Sequence, residues 1–160
     1  MLTVTIACVG KLKEAYWRDA CAEYEKRLSA FCRLRIEEVA EERLPDNPSS
    51  AQITAALEAE GHRLLSRIPA GAAVVALCIE GKPLSSEEFS RKLAGWAVDG
   101  ISHVALVIGG SFGLSDAVKH EARLRLSFSP MTFPHQLARI LALEQLYRAF
   151  HIQSGGKYHK

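Results

Sequence analysis

Five short apolar runs alternate with segments of helical period along this chain. That alternation argues for an α/β fold with a mostly parallel sheet flanked by helices, because a parallel strand can follow its predecessor only through a long crossover. The runs lie at residues 2–9, 33–39, 72–79, 103–108 and 124–128. A helix starting near Lys13 carries Trp17, Cys21, Tyr24, Leu28 and Phe31 at helical spacing, which gives it one apolar face. The second run is more polar, with Leu34 and Ile36 sharing one side, as an edge strand would. Ser49 with Gln52, and Ser85 with Glu88, have the spacing of capping boxes. They open helices expected to run to about Ile68 and through Trp96, the latter closed by Asp99-Gly100.

The runs at 72–79 and 103–108 are apolar throughout, as strands covered on both faces are. Glu80-Gly81-Lys82-Pro83 is expected to turn the chain out of the former. A short helix follows from Ser115, and a final one from Pro134, a residue suited to a helix start, to about Ile152. No repeat, linker or low-complexity stretch divides the 160 residues, so residues 1–160 are expected to form one domain.

Four cysteines, Cys8, Cys21, Cys32 and Cys78, form no Cys-x-x-Cys pair and have no His at ligand spacing. They read as buried, reduced thiols, and no metal site is expected. The first run is too short to span a membrane and lacks the leading positive charge of a signal peptide, so a cytoplasmic protein without a membrane partner is expected. A net charge of +2 is too small for strong nonspecific nucleic-acid binding. An RNA partner would have to be held by local basic patches, a second subunit or a shaped target.

Two loops leave apolar strands and enter helices: Val107-Ile108-Gly109-Gly110-Ser111-Phe112-Gly113-Leu114-Ser115 and Leu126-Ser127-Phe128-Ser129-Pro130-Met131-Thr132-Phe133-Pro134-His135. Loops at the carboxyl ends of strands in an open α/β sheet form the crevice where ligands bind. Neither fits a phosphate grip, in the Gly-x-x-x-x-Gly-Lys or the Gly-x-Gly-x-x-Gly register. A small, mostly apolar cofactor read by main-chain groups suits them better. His135 reads as a polar contact of the first helical turn. The final helix is apolar around more than one face, through Leu137, Ile140, Leu141, Leu143, Leu146, Tyr147, Phe150 and Ile152. Burial between layers of its own subunit would account for this; a second face covered by a partner subunit is preferred, most simply in a symmetric dimer.

Val107-Ile108-Gly109-Gly110, the run from Leu126 to His135, Glu144-Gln145-Leu146-Tyr147-Arg148-Ala149 and the terminal Lys157-Tyr158-His159-Lys160 resemble the RlmH family of small SPOUT methyltransferases. The resemblance extends to Val9-Gly10-Lys11-Leu12-Lys13 and Ile79-Glu80-Gly81-Lys82. It implies a carboxyl-terminal deep trefoil knot, an exception to the rule that chains do not thread loops. It implies a homodimer with each cofactor site near the subunit interface. The implied activity is methyl transfer from S-adenosylmethionine to N3 of pseudouridine 1915, in helix 69 of 23S ribosomal RNA, within the assembled 70S ribosome.

Carried over by position, cofactor contacts are implied at Leu77, Gly109, Phe128, Ser129, Pro130, Met131, Thr132 and Phe133. Gly109 and Gly110 would let main chain approach the ligand. The imide N3 carries a proton, and His159 is the candidate to handle it. Tyr158 would stack on or orient the base, and Arg148 would hold phosphate or a developing oxyanion. Rival readings are a frayed tail for Tyr158, His159 and Lys160, and a helix-surface ion pair of Arg148 with Glu144. RNA contacts are expected from Lys11, Lys13, Arg18, Lys157 and Lys160, against simple solvated cations. The competing functions are a SPOUT methyltransferase acting on transfer RNA or another RNA, and a noncatalytic ribosome-binding module.

Overall fold

A computed structural model describes residues 1–160. Its elements alternate as the apolar runs do: β1 (Thr3–Val9), α1 (Ala15–Leu28), β2 (Arg33–Val39), α2 (Ser50–Ser66), β3 (Ala73–Pro83), α3 (Ser86–Val98), β4 (His103–Ile108), α4 (Asp116–Glu121), β5 (Leu124–Ser127) and α5 (His135–Gln153). The five strands are all parallel, in the order β2-β1-β4-β3-β5, so β2 is indeed an edge. Both capping boxes form, with Ser49 and Ser85 accepting from the main-chain amides of Gln52 and Glu88.

Strand alternation divides the interior in two. Val4, Ile6 and Cys8 of β1, with Val104, Leu106 and Ile108 of β4, face the larger core built with α1, α3 and α5. Ala7, Val9, Ala76 and Val107 face a smaller core with Leu64 of α2 and Val118 of α4. The central strands are covered on both sides, which is why they read as unbroken apolar runs.

Two expectations change. Glu80-Gly81-Lys82-Pro83 does not leave the sheet: β3 continues past an irregularity between Leu77 and Lys82, and pairs again through Lys82 with Leu126 and Pro83 with Ser127. Gly81 permits this, because a Cβ there would sit 2.8 Å from the carbonyl carbons of Arg125 and Leu126. Cys78 lies beside this irregularity and is only half-buried, unlike the other three cysteines. The last helix, α5, packs between α1 and α3, and no residue from His135 to Ile152 is fully exposed. Of its apolar residues, Leu143, Leu146 and Phe150 are buried within the chain, while Leu137, Ile140, Leu141, Tyr147 and Ile152 stay partly exposed.

Candidate active site

The ends of β3, β4 and β5 enclose a cavity of about 630 Å³ with a half-apolar lining, a size suited to a nucleoside-like ligand. Its walls are the irregular stretch of β3, the loop after β4 and the loop between β5 and α5.

The loop after β4 is closed on itself. The Gly113 amide donates to the Gly110 carbonyl at 3.1 Å, and Gly113 has φ of +87°. A Cβ on Gly109 would lie 2.2 Å from the Gly113 carbonyl oxygen. Glycine at 109 is thus required first by the turn's own main chain, not only by the approach of a ligand. Ser115 ends the loop by capping α4. In the second loop the Ser127 hydroxyl donates to the Ser129 carbonyl at 3.1 Å, and the Ser129 hydroxyl accepts from the Met131 amide at 3.0 Å. The amides of Ser111, Phe112, Thr132 and Phe133, all residues of the lining, donate to no main-chain group.

Of the cofactor positions expected from sequence, Leu77, Gly109, Phe128, Ser129, Met131, Thr132 and Phe133 all line the cavity, and Pro130 does not. The lining also contains Cys78, Ile79, Glu80, Phe112, Lys119 and His135, which sequence reasoning did not assign. Ile79, Phe112 and Met131 are 49%, 50% and 73% exposed, so three separate segments place large apolar side chains around one mouth. Burial holds the His135 imidazole below its ordinary titration range, partly offset by Glu41, and keeps it neutral.

Arg148, Tyr158 and His159 also meet, but elsewhere. The tail folds back on α5 and α3 instead of fraying. The Tyr158 hydroxyl donates to Glu144 at 3.1 Å, and the Arg148 guanidinium lies 4.8 Å from the Tyr158 ring centre while pairing with Glu144 at 2.6 Å. Burial and the Glu144 hydrogen bond raise the Tyr158 phenol, which keeps its proton. His159 Nδ1 is 3.1 Å from an Arg148 nitrogen, and its Nε2 is 2.6 Å from Glu87 of α3. A guanidinium can only donate, so Nδ1 accepts and Nε2–H donates to the Glu87 carboxylate. None of the three residues lines the cavity. A smaller hollow of about 300 Å³, with Ser86, Phe89, Leu141 and Gln145 in its lining, shares Leu126, Phe128 and Phe133 with the first.

Of the expected RNA-contacting residues, Lys11, Lys13, Lys157 and Lys160 are exposed. Arg18 is exposed as well, and it donates to the Leu12 and Lys13 carbonyls of its own loop. No group of potential metal ligands is present.

Residues 2–159 match the family described as "Predicted SPOUT methyltransferase". A ribosomal RNA large subunit methyltransferase H from Bifidobacterium animalis subsp. lactis is 49% identical over 159 residues, spanning 99% of this chain and 100% of its own. Proteins of that name from Leuconostoc mesenteroides and Streptococcus equi subsp. zooepidemicus are 47% and 48% identical, each over the same 99% and 100%. The solved structure of a probable methylase family protein from Haemophilus influenzae Rd KW20 aligns with a TM-score of 0.54 at 13% identity, covering 98% of this chain and 70% of that one. This last likeness bears on the fold.

Proposed function

This chain belongs to the SPOUT methyltransferase family, and on that premise we propose that it methylates N3 of pseudouridine 1915 in helix 69 of 23S ribosomal RNA, within the assembled 70S ribosome. Its methyl donor is S-adenosylmethionine. The names of its full-length relatives support a ribosomal substrate over transfer RNA. The observation that carries the reading is the convergence of Leu77, Gly109, Phe128 and Phe133 on one cavity whose loop amides at Thr132 and Phe133 are free to read a ligand.

These residues fit the cofactor. Leu77, Leu126, Phe128 and Phe133 offer apolar walls for a purine, and the free loop amides offer donors to its edge. When bound, S-adenosylmethionine supplies an electrophilic methyl carbon. The chain's task is then to hold the base in line with that carbon, exclude water and remove the N3 proton. His159 is the proton acceptor, Tyr158 orients the base, and Arg148 holds phosphate or the charge developing on the ring. His159 can act only after release from Arg148, because its acceptor lone pair is occupied while the tail is docked.

That Arg148, Tyr158 and His159 do not line the cavity of the same chain supports a homodimer in which a partner's tail completes each site near the interface. The return of α5 between α1 and α3, after β5 has paired at the far edge of the sheet, supports a deep trefoil knot. The reaction belongs in the cytoplasm with the ribosome, and no helix here is long and apolar enough to cross a membrane.

A methyl group on N3 blocks the pairing edge of the base and halts reverse transcription. Ribosomes from cells lacking this protein should be read through at the helix 69 pseudouridine, and those from complemented cells should give a stop there. An unaltered pattern in both would refute the assignment.

A further inference from the structure

The cavity lining holds one carboxylate and one ammonium, Glu80 and Lys119, and these two are paired with each other. Every other lining side chain is apolar, hydroxyl, amide or glycine, apart from the neutral His135 and the Cys78 thiol, which burial keeps protonated.

The pair is brought together by two unrelated features of the fold. The irregularity in β3 carries Glu80 off the ladder with β5, and Gly81 lets the strand cross close enough to resume it. Lys119 stands on α4, and its carbonyl accepts from the Arg125 guanidinium at 3.0 Å, which ties α4 to β5. Glu80 is 58% exposed and Lys119 22%, so the charges sit where the cavity opens to solvent, while Leu126 and Leu114 lie in its buried interior.

An ion pair this exposed contributes little to stability, typically about 0–1 kcal/mol. Stability therefore does not account for the only two full charges of the lining being adjacent at its mouth. A ligand whose apolar end enters the cavity and whose other end carries an ammonium and a carboxylate does account for it. The Glu80 carboxylate would accept from the ligand's ammonium, and the Lys119 ammonium would donate to its carboxylate, giving alternating charges with every donor matched.

We propose that Glu80 and Lys119 read the amino-acid end of the bound cofactor, and so distinguish it from adenosyl compounds that lack that end. This rests on the cavity being the S-adenosylmethionine site.

The test is calorimetric titration of the full chain with S-adenosylhomocysteine and with 5′-methylthioadenosine, which keeps the adenosyl thioether and lacks the amino acid. Wild-type protein should bind both, the former more tightly. Lys119→Met and Glu80→Gln should each weaken S-adenosylhomocysteine binding by about tenfold, the scale of one charge-assisted hydrogen bond. Both should leave methylthioadenosine affinity within about twofold, which also reports that the cavity is intact. Lys119→Arg should retain most of the S-adenosylhomocysteine affinity. Unchanged S-adenosylhomocysteine binding in both variants, or an equal loss for both ligands, overturns the proposal. Failure of folded wild-type protein to bind either ligand overturns the cofactor reading itself, an outcome distinct from both.

Discussion

The Arg139 guanidinium, 2% exposed, lies 2.7 Å from the Glu38 carboxylate and 3.2 Å from the Gly10 carbonyl oxygen. One buried cation thus joins the first turns of α5 to the end of β2 and to the loop after β1. Gly10 has φ of +92°, and a Cβ there would come within 3.2 Å of the His135 ring. The helix that begins where the β5–α5 loop ends is therefore fixed against the loop that carries Lys11 and Lys13.

Removing that cation leaves Glu38 and the Gly10 carbonyl without their partner. Arg139→Met should cost about 3 kcal/mol, less than the largest losses for a buried pair because Glu38 keeps some solvent contact. Urea unfolding of the variant measures it, and a loss below about 1 kcal/mol would show that the pair is dispensable.

Thiol reactivity should separate the four cysteines. Burial raises all four thiols, Cys8 to about 12 and Cys32 to about 11, but only Cys8, Cys21 and Cys32 are closed to solvent, so these three should react with iodoacetamide only on unfolding. Cys78 is half-buried and lines the cavity, so it should be the first to be alkylated in the native protein. Saturating S-adenosylhomocysteine should slow that reaction severalfold. Mass mapping of the labelled peptides checks both points, and equal labelling with and without ligand would place the ligand elsewhere.

Much of this architecture is legible in the sequence because local physics sets it. The apolar runs, the caps at Ser49 and Ser85, and the ion pair of Arg148 with Glu144 four residues earlier all depend on near neighbours. What is not legible depends on distant ones. Gly81-Lys82-Pro83 has the composition of a turn, and only pairing with Leu126 and Ser127 makes it strand. The meeting of Glu80 with Lys119, and of His159 with Glu87, joins residues 39 and 72 positions apart, and no spacing rule reports such contacts. Gly109 was legible as important, but its reason, contact with the main chain of Gly113, needed the closed loop.

Acid should weaken the fold partly through His135. Its imidazole is held below the ordinary value by burial, whereas in the unfolded chain it takes a proton near pH ~6.5. As pH falls through that value the unfolded state binds the proton first. Stability is therefore lost from there down to the folded-state value, and is fully present above it. His103, held down by burial and by Arg35, adds a loss of the same sign. Between pH ~8 and ~5, wild-type protein should lose more stability than His135→Asn, measured by thermal unfolding across the range. Identical slopes would mean that His135 is solvated in the native state.

The docked tail should matter for turnover and not for cofactor affinity, since none of its residues lines the cavity. Deleting residues 158–160 should lower the rate of methyl transfer by about 10²-fold or more, the usual contribution of a positioned proton acceptor. S-adenosylhomocysteine affinity should be retained. Full turnover by the truncated protein would remove Tyr158 and His159 from the mechanism.

The most direct measurement follows labelled methyl from S-adenosylmethionine into 70S ribosomes lacking the modification, with separated 50S subunits and free transfer RNA alongside. The account predicts label at N3 of the helix 69 pseudouridine, chiefly in 70S particles. Label in transfer RNA, or none in any particle from protein that binds the cofactor, would contradict it.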